Sequence, residues 1–456
     1  MAQRSTLHTA TVDQAAAGRE PPRGRIGRVV AASLAAGLVA AVILSFLPVA
    51  TVDVDFSTAM VLFGFALGWA LLAVLSTRLT EQPQRWAVVP AIFMAVAGAL
   101  VLLAPDSLVD ALGWVWPPAL LVLVVWAWTR ARRDLHSRTR RWLLNPVLAV
   151  LGVLALAGAY ETIGGATAPA VAMRGQLVDV GPYRLHLDCT GSRGPTVVLE
   201  PGAGGSAASM GLIAPAVARD TRVCVYDRAG RGWSDAPASP PDGAQNVTDL
   251  HALLHNAHVP GPYVLAGHSF GGYYVMTYAA RYPSEVAGLV LIDASKTSGG
   301  PVSPPKAGSY SLLQHATSLV ATTSHLGLGR LIAATSSPQL PASYRNDMRA
   351  TAATGTEMAG VLGEYGVANR SAAEATQLRS LHGKPLVVLT ASQGNVPGWM
   401  VWQNQLATLS TNSIHRVEPG AAHASFVEEP EHAAAVTRAI HDVVVAVRTG
   451  APLTKP

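Results

Sequence analysis

Charge is scarce in this chain: Asp, Glu, Lys and Arg make up 13% of its 456 residues, about half the share of an ordinary soluble domain. With half of the residues apolar, that argues against one soluble domain and for the membrane class. Cysteine is nearly missing as well. Only Cys189 and Cys224 occur, neither in the context of a catalytic thiol or a metal ligand. No internal repeat is found, which excludes a solenoid or a propeller. Aromatic residues are also few, at 6%.

What is present divides into two parts. The apolar residues concentrate in the first 160, in five uncharged stretches: Val29 to Val52, Phe56 to Thr77, Trp86 to Ala104, Ala111 to Thr129 and Trp142 to Tyr160. Each has roughly the twenty residues that a helix needs to cross a hydrocarbon core. A signal peptide alone does not explain the first, because four more follow it. The spans hold no charged residue, which disfavours an ion or proton path and hence a transporter, although a scaffold role for the helices stays open.

Arginines set the expected orientation. Arg19, Arg23, Arg25 and Arg28 precede the first stretch, Arg78 and Arg85 follow the second, and Arg130, Arg132, Arg133, Arg138, Arg140 and Arg141 follow the fourth. The alternate loops hold Asp53 and Asp55, then Asp106 and Asp110, with no Lys or Arg. The positive-inside rule then puts the N-terminus in the cytoplasm and, after five crossings, everything from Glu161 onward on the outer side. Arginines beside spans serve topology and anionic lipid, so the net charge of +5 implies no nucleic-acid partner.

The second part carries the chemistry. Gly267-His268-Ser269-Phe270-Gly271 follows the apolar run Tyr263 to Ala266 and precedes a helix-favouring stretch, Tyr273 to Arg281. Strand, sharp turn, helix is the context of a nucleophile elbow, in which flanking glycines make room and the serine Oγ is pushed into a cleft. Ser269 is the candidate nucleophile. A hydroxyl needs an imidazole to take its proton and an acid to orient that imidazole. His423 is the best-placed histidine, in a loop after the alternating stretch Ser413 to Val417 and before a final helix. His268 is expected to pack or shape its loop, and His251, His255 and His258 to form a partly solvated helical face.

From about Gln176 to the C-terminus the sequence resembles the α/β-hydrolase superfamily. The resemblance rests on Gly267 to Gly271, on Leu199-Glu-Pro-Gly-Ala-Gly-Gly205, on Tyr226-Asp-Arg-Ala-Gly-Arg-Gly-Trp-Ser-Asp235 and on the His423 loop. It implies that the backbone N–H groups of Ala203 and Phe270 form an oxyanion hole, with Pro201 where the family often has histidine. The family most often places its acid after the penultimate strand, here Pro385 to Ala391, yet no Asp or Glu lies between Glu374 and Glu418. Some members carry it one strand earlier, where Leu289-Val-Leu-Ile-Asp293 ends an apolar strand. Asp293 is therefore the expected acid, with Asn395 as the alternative orienter. The order Ser269, Asp293, His423 agrees with the order of this fold.

The expected architecture is a five-helix transmembrane bundle followed by an α/β-hydrolase domain with a mostly parallel sheet, helices on both faces and a helical lid. Its parts are a cytoplasmic basic tail over 1–28, five transmembrane helices over 29–160, a glycine-rich linker over 161–175 and the hydrolase domain over 176–456, with the lid inserted at about 296–381. By the family's strand order Cys189 and Cys224 lie on neighbouring strands. Oxidising surroundings permit a bridge, and two buried thiols are the alternative. The expected function is a membrane-anchored serine hydrolase that cleaves a small-molecule or lipid ester through an acyl-enzyme, with no metal or organic cofactor. An acyltransferase on the same scaffold and a hydrolase-like receptor with little turnover are the other readings. Nothing in the sequence specifies an oligomeric state.

Overall fold

Short runs bounded by turn residues, apolar within the sheet and mixed toward its ends, form the strands: β1 Gln176–Asp179, β2 Arg184–Thr190, β3 Val197–Glu200, β4 Val223–Tyr226, β5 Tyr263–His268, β6 Val286–Ile292, β7 Leu386–Ala391 and β8 Ser413–Glu418. The computed structural model describes residues 26–47, 54–134, 138–168, 170–297, 309–335, 337–352 and 354–454. Two compact units emerge, one of 1–45 with 59–156 and one of 46–58 with 157–456.

In the second unit the strands form one sheet in the order β1-β2-β4-β3-β5-β6-β7-β8. The β1–β2 and β2–β4 pairs are antiparallel and the other five parallel. Strands β3 to β7 are apolar on both faces because both are covered. Val198, Leu265, Leu289, Leu291 and Val388 pack on one side with the helices Gly243–Asn256 and Gly271–Arg281. Leu199, Val264, Ala266, Val290, Ile292 and Leu389 pack on the other with the C-terminal helix Pro430–Thr449. Chain direction reverses its progress across the sheet at β3, with β4 on one side and β5 on the other. Such a switch point opens a crevice at the carboxyl ends of the strands.

Cys189 and Cys224 face each other in register on β2 and β4 and are joined in a disulfide, which decides between the two alternatives left by the sequence. Between β6 and β7 the chain inserts the helices Ser309–Ala321, Leu328–Thr335, Ala342–Ala352 and Gly355–Ala375. The Pro, Ser and Gly-rich start of that insertion, 298–308, lies outside the described residues. The last insertion helix begins where the Thr354 hydroxyl accepts from the Glu357 N–H at 3.1 Å, a side-chain cap on an otherwise unpaired donor.

The first unit is helical. Among the described residues four helices are long and apolar enough to cross a membrane: Ile26–Ser45, Val54–Leu79, Arg85–Leu103 and Leu144–Thr167. Helices approach closely where side chains are small: a Cβ on Gly64 would lie 2.3 Å from Ala41 Cα. The stretch Ala111 to Thr129, expected as one further span, is instead divided between the helices Asp106–Leu112 and Trp116–Asp134. The reason is local. Pro117 and Pro118 lack the N–H that a helix interior requires and so start a new helix. The uncharged part of that helix, 116–129, measures about 21 Å at ~1.5 Å per residue, short of a ~30 Å hydrocarbon core. The last apolar helix runs on to Thr167, through residues expected as the start of a linker. The tail arginines 19, 23 and 25, Asp53, and the side chains of Asp106, Asp110, Arg138, Arg140 and Arg141 lie outside the described set.

One buried histidine ties the sheet edge to the turn after β4. His186 Nδ1 stands 2.7 Å from Asp227 Oδ2 and its Nε2 2.6 Å from the Arg174 carbonyl oxygen. Both ring nitrogens therefore face acceptors, which only the imidazolium satisfies. Burial opposes the charge, but the hydrogen bond and attraction of Asp227 outweigh it and raise the pKa above its ordinary value. A raised folded-state pKa gives stability that is complete below the unfolded value of about 6.5 and lost as pH rises through the folded one. The urea midpoint of the wild type is expected to fall as pH climbs above that range, and His186→Gln to remove this slope. Parallel pH profiles for the two proteins would contradict the assignment.

Candidate active site

Ser269 sits in the turn between β5 and the helix Gly271–Arg281, with φ of +53°, a backbone strain that non-glycine residues rarely carry and that collects at functional sites. The flanking glycines are a spatial necessity. A Cβ at Gly267 would lie 2.5 Å from the Gly271 carbonyl oxygen, and one at Gly271 only 2.3 Å from that of Glu200.

The three side chains singled out from the sequence meet here. Ser269 Oγ is 2.9 Å from His423 Nε2, and His423 Nδ1 is 2.6 Å from Asp293 Oδ2. Asp293 directly follows β6, and His423 lies in the loop after β8. With a carboxylate on the Nδ1 side the ring proton belongs on Nδ1, which leaves the Nε2 lone pair for the serine hydroxyl. Asp293 is buried, whereas the His423 side chain is 45% exposed, so the imidazole is open to solvent. The second carboxylate oxygen, Oδ1, accepts from the Ala391 N–H at 3.1 Å and from the Trp399 indole N–H at 2.8 Å.

Asn395 stands elsewhere. Its amide donates to the Ala391 carbonyl at 2.7 Å, which makes it a brace of the strand end. His268 donates from Nε2 to the His423 carbonyl at 3.0 Å. Burial lowers its pKa to about 4, so the ring is neutral and pins the His423 loop. His251 lies against Tyr282 at 4.1 Å between ring centres and 3.2 Å from a Glu285 oxygen, with His255 stacked at 6.4 Å. His258 follows that helix with φ of +54°.

Ala203 lies in the loop after β3, and Phe270 follows the serine directly. The loop after β3 passes so close that a Cβ on Gly202 would lie 3.0 Å from Ser269 Cβ, and Phe270 opens the following helix. Neither amide donates to a protein acceptor among the described residues.

Several contributors carry no signal of their own in the sequence. Trp399 opens the helix after β7 and lies edge-on to His423, 6.2 Å between ring centres. Ser295 places its hydroxyl 3.3 Å from Ser269 Oγ and donates its N–H to the Ser269 carbonyl at 3.1 Å. Beneath the β3 loop, the buried Arg228 guanidinium meets Glu200 Oε1 at 2.6 Å and Glu364 Oε1 at 2.7 Å. The Tyr226 hydroxyl donates to the other Glu200 oxygen. Burial lifts Glu200 to about 6 against the pull of Arg228. Glu364 is pushed up by burial too, but Arg228 and Arg231 overcome this and hold it below the usual carboxylate range.

A strained serine in line with an imidazole and a carboxylate, at the carboxyl edge of a doubly covered and mostly parallel sheet, defines an α/β protein with its candidate site on the turn after β5. Residues 195–430, just over half of the chain, match the alpha/beta hydrolase fold family, and the chain belongs to it. It is 33% identical over 215 residues to an uncharacterized protein of Schizosaccharomyces pombe, a match of 40% of this chain and 37% of that one. It is 36% identical over 72 residues to the (lyso)-N-acylphosphatidylethanolamine lipase of Homo sapiens, 15% of this chain and 21% of the relative. The chain thus spans less than two fifths of either curated relative. Among solved structures, a thermophilic esterase from Thermogutta terrifontis aligns with 60% of this chain and 99% of its own, at 23% identity and a TM-score of 0.43.

Proposed function

We propose that the chain is a membrane-anchored serine hydrolase that cleaves carboxylic esters by two-step acyl transfer. The observation that carries this reading is the unbroken line of contacts from Ser269 Oγ through His423 to Asp293. Ser269 Oγ attacks the ester carbonyl carbon while His423 Nε2 takes its proton. The amides of Ala203 and Phe270 receive the developing oxyanion, and Asp293 holds the imidazolium. Collapse of the tetrahedral intermediate expels the alcohol with the proton from Nε2. Water, deprotonated by the same nitrogen, then releases the acid and restores the serine. The insertion over 296–381 serves as a lid that shapes the acyl pocket. The lipase name of the human relative, over its 72 matched residues, favours a lipid-like ester.

The domain works outside the cytoplasm after five crossings. The alternating arginine loops and the bridged Cys189–Cys224 pair, which belongs to an oxidising compartment, both support that side. In this reading the helix Trp116–Asp134 is the additional span, and its terminal arginines reach toward the lipid headgroups. A membrane-impermeant fluorophosphonate applied to intact cells is the direct test. Labelling of the peptide that contains Ser269 without lysis is expected. Labelling only after lysis removes the outward orientation, and no adduct on Ser269 in either case removes the mechanism.

Trp399 gives a graded check. A hydrogen bond to a charged group contributes about 1.5–3 kcal/mol, so Trp399→Phe is expected to lower kcat about tenfold or more, with KM little changed. An unchanged kcat would mean that the indole does not support Asp293.

A further inference from the structure

The peptide planes on either side of Ala203 are each clamped by a buried charge. The Gly202 carbonyl accepts from Arg228 Nη2 at 2.9 Å, and the Pro201 carbonyl from Nη1 at 2.9 Å. The Gly204 N–H donates to Glu364 Oε2 at 2.8 Å. In a trans peptide the C=O and the N–H point in opposite directions. A guanidinium fixed on the Gly202 oxygen therefore fixes the direction of the Ala203 N–H, which belongs to the same plane. It also polarises that amide, since a hydrogen bond accepted at the carbonyl strengthens the donor at the other end.

Arg228 is in turn aimed by three partners. Glu200 holds one nitrogen, Glu364 accepts from Nε at 2.7 Å, and the ring of Tyr274 lies 5.1 Å beneath the guanidinium carbon. Glu200 belongs to β3, Arg228 to the turn after β4 and Tyr274 to the helix after Ser269, whereas Glu364 comes from the insertion helix Gly355–Ala375. Arg231 and Glu357 repeat the link two helical turns earlier on the insertion helix, with an ion pair of 2.9 Å and a 2.8 Å bond from the Gly232 N–H to Glu357. Burying two arginines and three glutamates is costly unless every charge is paired, and apolar residues could have packed the same junction. What the charged junction adds is directional control of a backbone loop.

We infer that Arg228 and Glu364 are positioning residues for the oxyanion donor of Ala203, so that a helix of the insertion helps to set the strength of transition-state binding at Ser269. This rests on the serine-hydrolase reading above and assigns to that site two residues that do not touch substrate. Loss of their alignment costs transition-state stabilisation while leaving ground-state binding in place.

The test uses the full-length protein in detergent with an aryl ester, comparing wild type, Glu364→Gln, Glu364→Asp and Arg228→Lys. Glutamine keeps the size of the side chain but presents an NH2 group to Arg228 or to Gly204. Aspartate keeps the charge with a shorter reach and should retain more activity. Expected is a ten- to hundredfold fall in kcat for Glu364→Gln and Arg228→Lys, with KM within about threefold. The affinity for a trifluoromethyl ketone, which forms an oxyanion on the serine, should fall in parallel with kcat/KM. The affinity for the matching methylene ketone that stays uncharged should not change. An unchanged kcat in the folded variants, or equal losses for both ketones, overturns the inference. If wild type fails to react with a fluorophosphonate at Ser269, the parent reading fails and this one falls with it.

Discussion

Ser269→Ala is expected to lower kcat for ester hydrolysis on the order of a million-fold, the scale seen when a triad serine is removed from a protease, and to abolish fluorophosphonate labelling. The substitution removes one oxygen from a turn whose +53° φ is imposed by its glycine surroundings, so the fold should melt as wild type does. The nearest alternative hydroxyl is that of Ser295, 3.3 Å from the lost oxygen. It is a poor substitute. Among the described residues His423 Nε2 pairs with Ser269 Oγ, and the Ser295 hydroxyl meets Ser269 Oγ rather than the imidazole. Mass spectrometry of labelled variant protein decides the point. An adduct on Ser295, or turnover within a hundredfold of wild type, would show that the chemistry does not depend on the elbow serine.

How much of this was legible depends on whether the cause is local. Strand β5, its elbow and the following helix are a contiguous pattern: an apolar run, two glycines that sterics require, then a helical stretch. Asp293 was legible through the family resemblance: the commoner place for the acid, in residues 375–417, holds no carboxylate, and the other place, directly after β6, holds one. His423 follows from its place after the last strand. The structure brings these three within hydrogen-bond reach, and the roles assigned to them are those proposed above.

The supporting residues were not legible, because their causes are long-range. Trp399 meets Asp293 across 106 positions and Glu364 meets Gly204 across 160. A tryptophan after a glycine and a glutamate on a helix have no pattern of their own. The ion pairs beneath the β3 loop form because the insertion helix Gly355–Ala375 packs against the turn after β4. The membrane segment was legible in part, for a local reason. Counting uncharged residues over 111–129 ignored that Pro117 and Pro118 restart the helix, so a stretch of sufficient composition became two helices, and the number of crossings passed from a matter of counting to one of topology.

Asp293→Asn has a second large expected effect, and the surroundings of the carboxylate dictate its direction. Oδ1 receives two donors, the Ala391 N–H and the Trp399 indole N–H. An asparagine must therefore keep its carbonyl oxygen there, since turning the NH2 group inward would set it against two N–H groups with no acceptor among them. The NH2 group is then left in the place of Oδ2, where His423 Nδ1 lies 2.6 Å away. A donor in that position requires Nδ1 to accept, which moves the ring proton to Nε2, toward Ser269 Oγ, and an Nε2 that carries a proton cannot take one from the serine. The expected result is a fall in kcat of about ten-thousandfold at neutral pH, as for the equivalent change in a serine protease, with substrate affinity nearly kept and the fold intact. Fluorophosphonate labelling should slow by a similar factor, yet still reach completion on Ser269, because the nucleophile itself is present. Asn395→Ala removes only a brace on the Ala391 carbonyl and should cost far less. If that variant instead showed the larger loss while Asp293→Asn stayed active, the carboxylate after β6 would not be the group that orients the imidazole.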